Sequence, residues 1–214
     1  MTLLQALDRL HSLLEGDTET PLTGDDYELR VALLNDAVEE WAQQSDVKWQ
    51  ELYAIDTTHT ANGVLTSFAL PEDFDSMNGA ISLYDTVHDA FTPIGTTSVA
   101  RSGQYTDRGD LTAWITGGNL VFNVAPLSGA VIHIPYYRKA TPLTDNADVL
   151  PMSKPRYAIY YALARLVEQS GDFTRYNTNM QKAEEILSQM KIDNQNLGEG
   201  VPNQVYSLTP GFGV

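Results

Sequence analysis

Histidine, carboxylate and aromatic side chains are the residues here whose types could do chemistry, so their spacing is the first thing to read. His11, His59, His88 and His133 form no i,i+3 or i,i+4 pair, the spacing that places two imidazoles on one metal ion. The run "EDFD" at 72–75 brings three carboxylates together. It fails the calcium-loop template, because Met77 stands where a further oxygen ligand belongs, and it reads as an acidic turn after Pro71. "GEG" and "GFG" near the C-terminus do not link a strand to a helix, so they give no phosphate cradle. The chain has no G-x-S-x-G elbow, no G-x-x-x-x-G-K-[ST] loop and no H-E-x-x-H helix. A carboxylate pair for glycoside hydrolysis stays open, since its defining separation is spatial rather than sequential. Arg108, Gly109 and Asp110 match an adhesion tripeptide but also make ordinary turn chemistry. Tyr136, Tyr137, Tyr157, Tyr160 and Tyr161 could stack on sugars or bases. Tyr157 and Tyr161 are i,i+4 neighbours on one helix face, which favours packing or a subunit interface. The expectation is no catalytic residue, no metal ligand and no cofactor.

The elements that carry these residues follow from periodicity. Leu3, Leu4, Leu7, Leu10, Leu13 and Leu14 recur at helical spacing, with Gly16 as the stop. The polar face of this stripe lacks the Lys/Arg that anionic lipids attract, which favours core over membrane surface. After the polar link "DTETPLTGDD" a second helix is expected from Asp25 to Gln44, with Tyr27, Val31, Leu34, Val38 and Trp41 on one stripe and Leu29, Leu33 and Ala37 beside it. Asp25, Asp26 and Glu28 suit its N-terminal dipole, and two stripes imply packing on more than one side.

From Trp49 to Tyr137 the pattern changes to short β-type runs, "LYAID", "VLTSFALP", "AISLYD", "TAWITGGNLVFNV" and "GAVIHIPYY". "ANG" at 61–63 and "TGGN" at 116–119 lie between runs and supply the positive backbone angles of tight turns. "TTSVARSGQYTDRGD" reads as an exposed loop. Helix returns at "LPMSKPRYAIYYALARLVEQSGD", with Ser153 as N-cap, Pro155 near the first helical position and Gly171 as the end. "FTRYNTNMQKAEEILSQMKIDN" follows as the last helix. The predicted fold is α+β: an antiparallel helical bundle built from both ends of the chain (1–48 and 141–194), an inserted β-rich domain (49–140), and an extended C-terminal tail (195–214).

The chain of 214 residues is 43% hydrophobic and 19% charged, the composition of a chain with a real core. It has no cysteine, which excludes disulfides and thiolate zinc and fits a reducing cytoplasm. No run approaches a membrane span, and the first residues lack a signal peptide's basic region, so a soluble, unprocessed protein is expected. The net charge of −15 is uneven: residues 1–90 hold 18 Asp/Glu against 3 Lys/Arg, and residues 91–214 hold 10 of each. Without Lys/Arg clusters, tight binding to a phosphate backbone is not expected, although an acidic wall lets DNA pass without sticking.

Three stretches together resemble the head-to-tail adaptor, or connector, proteins of tailed bacteriophages. They are "LLNDAVEEWAQQSDVKWQELY", "ALPEDFDSMNGAISLYD" and "IPYYRKATPLTDNADVLPMSKPRYAIYYALARLVEQSGD", followed by the last helix "YNTNMQKAEEILSQMK" and the tail. Within them a Leu-Pro-x-Asp-Phe turn (Leu70, Pro71, Asp73, Phe74) precedes a strand, and Leu150-Pro151 introduces the tyrosine-rich helix. The resemblance implies a structural virion protein that forms a ring, typically of twelve copies, below the portal protein. It would attach the tail or nozzle and enclose the channel through which genomic DNA leaves without specific binding. It would be made in the host bacterial cytoplasm and reside in the virion neck. On this reading Tyr27, Val31, Trp41, Tyr157, Tyr160 and Tyr161 form the ring interface. Tyr105, Arg108 and Asp110 face the tail or nozzle. The tail residues Val201, Pro202, Val205, Tyr206, Leu208, Pro210 and Phe212 contact the portal or a neighbouring subunit. The alternatives are another neck or tail component such as a stopper or tail terminator, a carbohydrate- or receptor-binding module using loop 95–110, and a hydrolase using unrecognised carboxylates.

Overall fold

In a computed structural model, which describes residues 1–16, 23–105 and 110–199, the chain is a mixed α+β protein of two compact units. One joins Met1–Trp41 to the residues from Leu143 onward, and the other is Ala42–Pro142.

The helical unit contains α1 (Leu3–Glu15), α2 (Asp25–Ala42), α3 (Arg156–Gln169) and α4 (Phe173–Glu199). Helix α1 begins where the leucine spacing placed it, with Thr2 and Gln5 forming a reciprocal capping box. It ends at Gly16, whose φ of 82° is left-handed and lets its N–H close on the Ser12 carbonyl. Leu3, Ala6, Leu7 and Leu10 are fully buried.

The N-terminus is tied to the segment that leads back from the β unit. Leu3 N–H donates to Asp148 O (2.7 Å), Leu4 N–H to Asn146 O (3.1 Å) and Leu150 N–H to Met1 O (3.0 Å), and Thr2 bridges Val149. Helix α2 joins the same segment. Asn35 donates to Leu143 O (3.0 Å) and accepts from Leu143 N–H (2.7 Å), and the Tyr27 hydroxyl donates to Asn146 Oδ1 (2.9 Å). The segment is itself held in a turn by Asp148, which accepts from the backbone of Asp145 and Thr144; these bonds hold its carboxyl below the usual range.

Three boundaries differ from the sequence expectation. Helix α3 begins after Pro155, whose φ of −58° is already helical and which has no N–H to cap, so Ser153 is not the N-cap. Helix α2 ends at Ala42, before Gln44. Helix α4 runs to Glu199, so residues 195–199, expected in the extended tail, are helical.

The β unit has two sheets. The first comprises β1 (Tyr53–Thr60), β3 (Phe74–Met77), β4 (Ser82–Asp85), β5 (Ala90–Pro93) and β9 (Val131–Arg138). Its order is β1-β9-β4-β5, and β3 pairs with β9 residues 136–138 beyond the stretch that pairs with β4. The second is β2 (Ser67–Ala69), β8 (Asn119–Phe122), β7 (Thr112–Thr116) and β6 (Gly95–Thr96). Phe68, Leu120, Phe122 and Ala113 from the second sheet share a core with Leu83, Ile132 and Ile134 from the first. The alternation in "AVIHIPYY" thus puts Ile132 and Ile134 on the buried face.

Gly117 (φ 58°) and Gly118 (φ 76°) make the two-residue hairpin between β7 and β8, the turn that positive φ at both positions permits. "ANG" also turns, with Asn62 Oδ1 accepting from Val64 and Leu65 N–H, but it carries the chain from one sheet to the other. Hairpin chemistry was legible there. The pairing partner was not.

Replacing Asn35 with alanine strands the buried Leu143 backbone groups that it satisfies. The expected loss is about 1–3 kcal/mol, read as a lower urea midpoint at unchanged slope; an unchanged midpoint contradicts the role of this pair.

Candidate assembly surfaces

A catalytic arrangement requires a nucleophile, acid or metal held against a partner. Among the described residues no cluster of His, Asp and Glu could hold a metal ion. His88 Nδ1 lies 2.6 Å from Asp85 Oδ2, on the exposed turn joining β4 to β5. Asp85 also accepts from the backbone of Val87 and His88, and these bonds, the His88 side chain first, lower its pKa. The pair locks a turn. Asp56 caps the Thr58 N–H inside a bulge of β1, with His59 3.7 Å away.

"EDFD" has a structural use. Phe74 N–H closes a turn on Pro71 O, and the Asp73 carbonyl accepts from Lys139 N–H (2.6 Å). The Asp73 carboxylate accepts from the Tyr136 hydroxyl (2.9 Å), and the Phe74 ring stacks on Tyr136 at 5.7 Å with 19° between planes. The Leu-Pro-x-Asp-Phe turn is therefore a pin that fastens β3 to the end of β9. Burial first, and then the Asp73 contact, pushes the Tyr136 phenol up to about 12.

The expected ring-interface residues separate into two groups. Trp41 (0% exposed) and Tyr157 (2%) are core of the helical unit, and they offer nothing to a neighbour. Burial, and then the nearby Glu40 carboxylate, raises the Tyr157 phenol. This is a correction to the interface expectation: the apolar stripe is covered by the chain's own helices. Tyr27, Val31, Tyr160 and Tyr161 are half-buried and remain available at the surface. Cations sit on two of these rings: Arg165 lies 5.2 Å from the Tyr161 centroid and Lys182 lies 5.3 Å from that of Tyr160. Arg165 also donates to the Tyr161 hydroxyl and to Glu168, and these bonds, Tyr161 first, raise its pKa.

Helix α2 exposes Asp25, Asp26, Glu28, Asp36, Glu39 and Glu40, an acidic surface on the element that buries Leu34, Ala37 and Trp41. On its buried side Arg30 (5% exposed) reaches α1. Its Nη1 is 2.6 Å from His11 Nδ1 and its Nη2 3.2 Å from Glu15 Oε1. Sequence reading missed Arg30, since a lone arginine between apolar stripes gives no signal that it is buried.

In the β unit the loop 95–110 is anchored by Asn123. Its side chain donates to Tyr105 O (3.0 Å) and Asp110 O (2.9 Å) and accepts from Thr112 N–H (2.8 Å). Tyr105 is half-buried and Asp110 exposed, while Arg108 lies outside the described residues. Val201, Pro202, Val205, Tyr206, Leu208, Pro210 and Phe212 also lie outside them. Among the described residues no helix is long and apolar enough to cross a membrane.

Among the described residues, the exposed surfaces of the helical unit are acidic on α2 and aromatic on α3, and the side-chain clusters described above serve turns and pins. The SU10 adaptor protein family model matches residues 1–205, across both units, and the chain belongs to that family of phage head-to-tail adaptors. A search of curated proteins finds no match. Membership implies contacts with other phage head and tail proteins and a place in the virion neck.

The Tyr136 pin gives a pH signature. The phenol is protonated in the folded state up to about 12 against an ordinary 10.0, so its contribution is full below pH 10 and lost as pH rises towards 12. Alkaline unfolding followed by circular dichroism should lose this component in Tyr136→Phe; an identical alkaline limb in both proteins contradicts it.

Proposed function

We propose that this chain is a head-to-tail adaptor that assembles as a ring of about twelve copies beneath the portal, a copy number carried over from the family resemblance rather than from an interface. The ring receives the tail or nozzle and encloses the DNA exit channel. The observation that carries this reading is the family match over residues 1–205. A ring of identical copies needs two different complementary surfaces on each subunit. Tyr27 and Val31 on α2, and Tyr160 and Tyr161 on α3, are the half-buried residues that supply candidates. The exposed carboxylates of α2 suit a channel wall, where like charge keeps a polyanion moving past rather than adhering. The loop anchored by Asn123 is the surface assigned to the tail or nozzle.

The uncharged residues after Gly200 act as a docking arm towards the portal or a neighbouring copy. A segment with Val205, Tyr206, Leu208 and Phe212 and no charged side chain gains more from burial than from water.

A chain ending at Gly200 should keep its circular dichroism spectrum and melting temperature yet be missing from particles produced by complementation. Normal incorporation of that truncation contradicts the arm. With purified portal, the full chain should give one discrete complex by mass photometry at a fixed adaptor-to-portal ratio; failure to bind portal at micromolar concentration contradicts the adaptor reading.

A further inference from the structure

The first sheet of the β unit leaves one face partly exposed, and its strand order ends on two edges, β1 and β5. Its core face carries Leu83, Ile132 and Ile134. Directly opposed residues on antiparallel strands share a face, so the pairs Ile55–Pro135, Tyr53–Tyr137, Ser82–His133 and Tyr84–Phe91 mark the other one. There Phe91 is 55% exposed, Ile55 50% and Tyr53 37%, and the rings of Tyr84, Phe91 and His133 lie 4.7–5.7 Å apart. These positions carry no charged side chain of their own; Asp89 accepts from the Tyr84 hydroxyl at the hairpin end, and Lys48 Nζ lies 5.3 Å from the Tyr137 ring centroid at the other.

The receiving edge is β1. Pro135, opposite Ile55, has no N–H, and its carbonyl accepts from Asn78 N–H (3.0 Å) on the side away from β1. Ile55 and Pro135 are thus a non-hydrogen-bonded pair, and in such a pair the backbone groups point away from the partner strand. Ile55 N–H and C=O are aimed at the open edge. The Tyr53 carbonyl shares that parity, while the Tyr53 N–H is already used on Gln50 O. These groups, which precede the bulge between Asp56 and His59 and lie beside exposed Tyr53 and Ile55, can pair with one more short strand.

The occupant is named by the part of the chain beyond the described residues. Residues 200–214 contain no Asp, Glu, Lys or Arg. Between Pro202 and Pro210 lies "NQVYSLT", in which Tyr206 and Leu208 alternate with Val205, Ser207 and Thr209, a pattern that fits a short strand with one apolar face. Fifteen extended residues reach about 50 Å, enough to leave one subunit. A neutral strand is also what an acidic neighbour accepts without like-charge repulsion.

We propose that residues 204–209 of one copy add as a strand to the β1 edge of a neighbouring copy, setting Tyr206 and Leu208 beside Tyr53 and Ile55. This deepens the docking arm of the ring reading by naming the receiving surface. An arm and a distinct acceptor on every copy make a head-to-tail contact, the type that closes into rings.

The cysteine-free chain makes the test direct. Full-length Ile55→Cys and Leu208→Cys chains are co-assembled into particles, and also mixed as free protein, then treated with a short bismaleimide. The proposal expects a covalent dimer from this pair, lost when the acceptor also carries Tyr53→Lys and absent when Val87→Cys, 83% exposed on the β4–β5 turn, replaces Ile55→Cys. No Ile55–Leu208 dimer in either preparation overturns it, and so does an equal yield with Val87→Cys. Particles that incorporate both variants without that dimer leave the adaptor reading standing while removing the arm-to-edge contact. Cross-linking of Leu208→Cys to the portal instead assigns the arm to the portal and also overturns the proposal.

Discussion

The hydrogen bonds between residues 1–4 and residues 146–150 are the constraint on which the helical unit depends. They join parts of the chain separated by the whole of Ala42–Pro142, and they bring the start of α1 to the segment that leads into α3. Asn35 adds α2 to the same seam through both backbone groups of Leu143. Closing so long a loop costs entropy that grows only slowly with length, and the intervening β unit offsets its own share by burying a separate core of Phe68, Phe122, Ile132 and Ile134. Completing the helical unit therefore requires a contact that is far apart in sequence.

Several chemistry-bearing side chains hold this architecture. Asp73 and Tyr136 pin β3 to β9, Asp85 and His88 lock a turn, Asp148 shapes the seam, and Arg30 ties α2 to α1. What is left at the surface is acidic on α2 and aromatic on α3 and on the outer face of the first sheet. Those are materials for contact between proteins. Family membership over residues 1–205 says which kind of contact, that of a phage adaptor.

Much of this was legible in the sequence, and the rest was hidden for identifiable reasons. The leucine spacing and Gly16 located α1, because a 3.6-residue period and a left-handed stop are local properties. The Leu70–Phe74 turn was visible, but its partner Tyr136 lies 63 residues away, beyond any local signal. Trp41 and Tyr157 looked like interface residues because periodicity marks an apolar face without saying whether the same chain or another covers it. Gly63 advertised a hairpin and delivered a crossing between sheets, since turn chemistry fixes backbone angles but not strand partners. The open edge at Ile55 could not be read, because edge position belongs to the assembled sheet.

The central claim is positional, so the most direct measurement is a cryo-electron reconstruction of the intact particle's neck, computed without imposed symmetry and fitted separately with the helical and β units. The account predicts a closed ring of these chains in contact with the portal, with the carboxylate-bearing face of α2 towards the channel. Density for this chain elsewhere in the particle, or a single copy rather than a ring at the portal, would contradict it.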